Sequence, residues 1–139
     1  MIEFEIKADA LLAKLSEAEQ KLKNLSKPLK EAGLLMERET KLNFARQSSP
    51  EGAGWAGLAA STLRRKRSGA ILRETSALMG SVAFMGASNT EARVGAGTAY
   101  GLYHQFGTSK MPQREFIGIA GRHEPMIEKI FQQYLQDLL

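Results

Sequence analysis

Residues 82–97, Val-Ala-Phe-Met-Gly-Ala-Ser-Asn-Thr-Glu-Ala-Arg-Val-Gly-Ala-Gly, alternate on either side of a turn. Val82 and Phe84 fall on one face of a first strand, with Gly86 in register behind them. Ser88-Asn89-Thr90 supply the turn. Ala92 and Val94 then alternate against Glu91 and Arg93 in a second strand. A period of two is what a half-buried antiparallel pair requires. The hairpin is expected over residues 81–87 and 91–97, as the nucleus of a small sheet.

Two further stretches carry strand-like patterns. Ile2-Glu3-Phe4-Glu5-Ile6 alternates strictly, apolar on one face and acidic on the other. Phe116, Ile117 and Ile119 look like a last short strand over residues 115–120, whose edge another subunit could extend. The expected sheet therefore holds residues 2–6, 81–87, 91–97 and 115–120.

The flanking sequence is helical. Leu11, Leu12, Leu15, Ala18, Leu22 and Leu25 recur at spacings of three and four, one stripe of a helix that Asp9 can cap. A break near Lys27-Pro28 starts a second helix, with Pro28 in its first turn, running to about Arg46. Residues 48–58 read as a loop holding the only tryptophan, Trp55. Ala59 to Arg67 fits a short helix stopped by Ser68-Gly69, and Thr75 or Ser76 caps another short turn. Ala99 to Phe106 reads as an aromatic-rich helix or turn closed by Gly107. Tyr100, Tyr103 and His104 share a face of it that suits a core. Pro125 opens a C-terminal helix with its stripe through Ile127, Ile130, Phe131, Tyr134 and Leu138. The fold class is α+β: a small antiparallel β-sheet with N-terminal helices and a C-terminal helix packed on it. At 139 residues the expectation is one domain, residues 1–139.

Composition excludes several chemistries. The chain has no cysteine, so disulfide scaffolds, thiolate zinc sites and cysteine nucleophiles are ruled out. No apolar run reaches about 18 residues, so no membrane partner is expected. Acids at the N-terminus do not fit a signal peptide, and the chain is expected in the cytoplasm when made. No Gly-x-Ser-x-Gly elbow is present, and two histidines stand far from the two aspartates, so no catalytic residue is assigned. His104 and His123 lack acids or histidines at ligand spacing, which leaves no metal site; both suit a packed or hydrogen-bonded role. Gly95-Ala96-Gly97-Thr98-Ala99-Tyr100 fails the dinucleotide spacing, because Tyr100 stands where a third glycine belongs. No cofactor is expected.

Net charge is +4, and the excess sits in one segment. Residues 1–43 balance to zero, residues 44–73 carry +5, and residues 74–139 carry −1. The segment includes Arg64-Arg65-Lys66-Arg67, a candidate contact for an anionic partner. On a helix four consecutive residues spread around the turn, and no aromatic residue is interleaved for base stacking. A solvated loop or a contact with an acidic protein neighbour is therefore favoured over non-specific contact with DNA, since charge alone argues about association and not about fold.

One ordered set of residues resembles a known family. Trp55 and Leu58 come first, then Thr62, Lys66, Ile71-Leu72, Thr75, Leu78 and Ser81. Val94-Gly95, Tyr100 and His104-Gln105-Phe106-Gly107 follow, and Pro112, Arg114, Phe116 and Gly118 close the set. The order resembles the phage virion morphogenesis family, the tail completion proteins of Mu-like phages, over residues 44–120. The family tends toward Pro-Ala-Arg-Pro-Phe-Leu-Gly where this chain has Pro112-Gln-Arg-Glu-Phe-Ile-Gly118.

The resemblance implies a non-enzymatic phage or prophage structural protein acting in tail completion or head–tail joining. It implies a homo-oligomeric ring, tail or neck proteins as partners, and a place in the virion at the tail or the head–tail junction after assembly in the host bacterial cytoplasm. Trp55, Tyr100, His104, Gln105, Phe106, Gly107, Pro112, Arg114 and Phe116 are then fold and assembly candidates. A small basic nucleic-acid-binding protein is the alternative reading.

Overall fold

The computed structural model describes residues 3–5, 7–57, 76–97, 101–109 and 112–138. Among these, α1 (Asp9–Leu22) and α2 (Ser26–Arg46) precede a short helix α3 (Ser76–Ser81) and the hairpin β1 (Val82–Ala87) and β2 (Ala92–Ala96). Helix α4 (Gly101–Phe106) and an extended segment over 112–120 follow. A 3₁₀ turn (Gly121–His123) leads into α5 (Glu124–Leu138). The fold is α+β, with helices around a small antiparallel sheet.

Helix α2 is the spine. Its buried residues include Pro28, Ala32, Leu35, Met36, Glu39, Thr40, Asn43 and Phe44, a stripe at spacings of three and four. Pro28 sits in the first turn, where its missing N–H costs nothing. The helix ends at Gln47, which takes the left-handed conformation at φ 52° and donates its N–H to the last turn. At its N-terminus α1 differs from expectation. Ala8 is the capping residue and Asp9 makes no capping bond, lying instead in the first turn, where a carboxylate still suits the helix dipole.

The hairpin lies across α2. Val82 pairs with Ala96, Ala83 with Gly95 and Phe84 with Val94. The register then slips before Ala87 pairs with Ala92. Gly86, at φ 111°, is the residue that lets the strand bulge there. Ser88 holds the turn by accepting the N–H groups of Thr90 and Glu91 on its hydroxyl. Asn89 ties the turn to the α1–α2 junction by accepting the Leu25 N–H.

The core gathers Phe44 of α2, Leu78 of α3, Val82 of β1 and Phe116 of the extended segment. Phe44 meets Trp55 edge-on at 5.7 Å and Phe116 at a tilt at 5.2 Å. Edge-to-face and tilted pairs suit the ring quadrupole, and each buried ring contributes about 1.5–3 kcal/mol of transfer free energy.

Three expected features do not form. Residues 3–5 take no regular structure, and Phe4 is 88% exposed; Ile2 and Ile6 lie outside the described residues. Residues 115–120 are extended but are not a strand, because side chains take their backbone groups where a strand would. The sheet therefore has two strands among the described residues, not four. Tyr103, assigned to the core, is exposed instead. The short helix expected over residues 59–67 lies outside the described residues.

Candidate functional site

Helix α4 delivers the block His104-Gln105-Phe106-Gly107 to the extended segment. Gly107, at φ 74°, ends the helix by donating its N–H to the Tyr103 carbonyl, a left-handed turn that glycine takes without strain. The chain then doubles back, and the Arg114 N–H donates to the His104 carbonyl at 2.7 Å.

Gln105 clamps the returning segment. Its Oε1 accepts the Phe116 N–H at 3.1 Å and the Ile117 N–H at 3.2 Å. Its Nε2 donates to the Ile117 carbonyl at 2.8 Å. Two facing N–H groups and one facing carbonyl set which way the amide points. The Gln105 carbonyl in turn accepts from Gln113 Nε2 at 2.9 Å.

The other side of the segment is held from α2 and the 48–57 loop. Asn43 Nδ2 donates to the Phe116 carbonyl at 2.8 Å, and Trp55 Nε1 donates to the Glu115 carbonyl at 2.7 Å. Arg114 is buried, and its Nε and Nη2 donate to the carbonyls of Ala56 and Gly57 at 3.0 and 3.1 Å. Burial lowers its pKa from the ordinary arginine value. Phe116 thus enters the core with its backbone satisfied on both sides.

A second buried polar cluster follows directly. Glu39 of α2 accepts from Arg122 Nη1 at 3.1 Å, and Arg122 Nε donates to the Pro50 carbonyl at 3.2 Å. His123 is fully buried, and its Nδ1 accepts the Ala120 N–H at 2.9 Å. The ring proton therefore sits on Nε2, 3.6 Å from a Glu39 carboxylate oxygen, too far for a strong hydrogen bond. Desolvation lowers the His123 pKa below the ordinary value, the Arg122 charge adds to this, and Glu39 opposes it. The cluster joins α2, the 48–57 loop and the start of α5. Glu39 falls on the helical stripe of α2, but neither Asn43 nor Arg122 is flagged by any local pattern, because each acts on residues more than 70 positions away.

The residues named from the sequence thus divide. Trp55, Gln105, Gly107, Arg114 and Phe116 are brought together as one packed clamp. His104 joins it through its carbonyl. Phe106 is 70% exposed and Pro112 is exposed, so neither is part of the core. Tyr100 and the run Arg64, Arg65, Lys66 and Arg67 lie outside the described residues.

Beside the clamp lies a feature the sequence did not announce. An open groove of about 630 Å³ runs between α2, the hairpin, the 117–119 segment and α5. Met36, Met85, Val94, Ile119, Ile127 and Phe131 line it, and among the described residues Arg93 is the one charged residue in its lining. Among the described residues no group of three carboxylates or histidines stands close enough to hold a metal ion. No described helix is long and apolar enough to cross a membrane.

These arrangements are scaffold chemistry: buried hydrogen bonds that fix a backbone path and leave apolar faces outside. The model of the phage virion morphogenesis family matches residues 6–136, nearly the whole chain. The chain belongs to the phage virion morphogenesis family, which gives it a structural part in building phage particles. No curated protein and no solved structure matches it significantly.

Proposed function

We propose that the protein completes the tail or joins head to tail, acting as a homo-oligomeric ring against tail or neck proteins. The observation that carries this reading is the uncovered apolar face of α1. Leu11, Leu12, Leu15 and Leu22 are all exposed, while Ala18 is the helix's one buried residue. An amphipathic helix with its apolar row in water is a surface awaiting a partner. Family membership supports a virion protein as that partner. Assembly takes place in the host cytoplasm, and the finished protein stays at the tail or the head–tail junction. Heterologous contacts repeated between copies close into a ring when the rotation permits.

The test is location. Antibody labelling of purified particles in the electron microscope should mark one end of the tail or its junction with the head. Labelling along the whole tail or over the capsid would refute the assignment.

The +5 segment supports one addition: Arg64, Arg65, Lys66 and Arg67 face passing DNA or an acidic neighbour. Reversing all four charges should lower phage titre or DNA retention, and an unchanged titre would remove the idea. Duplex affinity of the free protein that falls steeply with salt would instead favour the nucleic-acid-binding alternative.

A further inference from the structure

We propose that residues 3–5 of one copy lie as an added strand in the apolar groove of the next copy, with Phe4 turned into the groove. This rests on the ring reading above and names the contact that would link neighbouring copies.

The donor is a strand without a sheet. Residues 2–6 alternate apolar and acidic residues strictly, the pattern of a strand with one buried face. Within the chain, residues 3–5 take no regular structure and Phe4 has almost no cover. An aromatic side chain left in water forgoes the transfer free energy that burial against another apolar surface would supply.

The acceptor is a sheet without enough strands. The hairpin has two strands, and among the described residues no third strand pairs with either outer edge. The groove at its side is lined by apolar side chains, with Met85 and Ile119 exposed at its rim. Added strands bind by backbone pairing and select by alternate side-chain pockets. Phe4 supplies the apolar side chain for such a pocket.

Charge agrees with this pairing. With Phe4 turned into the groove, the period of two puts Glu3 and Glu5 on the opposite face, in water, so no carboxylate is buried.

A second copy also fits better than the same chain. In its own chain the segment leads straight into α1, whose far end is tied to α5 by the Tyr134 hydroxyl donating to the carbonyls of Lys21 and Asn24. The intervening leucines of α1 stay exposed, and Ala18 is the helix's one buried residue.

The experiment uses the full chain, which has no native cysteine to interfere. One preparation carries Phe4→Cys and a second, differently tagged, carries Ile119→Cys. Mixed and oxidised, they should form a mixed-tag disulfide dimer. In parallel, light scattering after size exclusion compares the unaltered protein with Phe4→Ser. Both changed positions are exposed, so folding should be intact, and circular dichroism checks it. The expected result is an oligomer for the unaltered protein, a monomer for Phe4→Ser, and cross-linking between copies. An oligomer that survives Phe4→Ser and gives no cross-link overturns this contact and leaves the ring standing. A doubly substituted Phe4→Cys/Ile119→Cys chain that closes within one monomer overturns the exchange between copies. A monomeric unaltered protein at high concentration overturns both this contact and the ring.

Discussion

Replacing Gln105 with alanine tests the clamp most sharply. The substitution removes one acceptor that serves two N–H groups and one donor to the Ile117 carbonyl. Each hydrogen bond is worth about 0.5–1.5 kcal/mol net, and a buried group left unmet costs about 1–3 kcal/mol. Gln105 is only half-buried, so water reaches some of the vacated groups. Three lost bonds with partial rescue give a destabilisation of about 2–4 kcal/mol. Unfolding entropy for 139 residues is about 0.3 kcal/mol/K, so Tm should fall by about 7–13 °C. Gln105→Glu is the informative companion. It keeps the acceptor for both N–H groups but turns a carboxylate oxygen toward the Ile117 carbonyl, and acidification should partly restore stability by returning a donor. Urea denaturation followed by circular dichroism reads both. A change below about 0.5 kcal/mol for Gln105→Ala, the size of a neutral surface substitution, would refute the clamp.

His123 makes stability depend on pH. Its folded-state pKa lies below the ordinary value of 6.5, so the unfolded chain binds more protons in between. Stability should fall as pH drops below about 6.5 and level off below the folded value; the difference should vanish in His123→Asn, and an identical slope in that variant would contradict it. Gly33→Ala would bring a Cβ within 2.5 Å of the Phe84 ring, and overpacking of about 1–3 kcal/mol should outweigh the roughly 1 kcal/mol gained in helix propensity. A rise in Tm for that variant would mean that the hairpin sits less tightly on α2. Gln47→Gly should raise stability by about 0.5–1 kcal/mol, because Gln47 holds a left-handed cap at φ 52° that glycine takes freely; differential scanning calorimetry checks it.

What could be read from the sequence follows the range of each interaction. The helices and hairpin rest on periods of 3.6 and 2 over short windows, and Pro28, Pro125 and Gly107 mark ends where backbone geometry alone demands them. The misread stretches are those where the partner decides. Residues 115–120 carry a strand's apolar composition, yet Asn43, Gln105, Trp55 and His123 meet their backbone groups, and composition cannot tell a side chain from a neighbouring strand. Residues 3–5 fit a strand's alternation but take no regular structure and pair with no strand among the described residues. The stripe on α1 foretells an apolar face without saying what covers it. The Glu39–Arg122–His123 cluster is invisible locally, since its members meet only when α2 and the start of α5 pack. Family resemblance marked Gln105 and Arg114, while their work on the 114–117 backbone emerges only from the fold.

The central claim is a role in finishing the phage particle, and gene deletion in an inducible lysogen tests it most directly. The lysate, imaged by electron microscopy, should contain full heads beside separate or defective tails, with infectivity restored by the gene supplied in trans. Normal, infectious particles from the deletion would contradict the account.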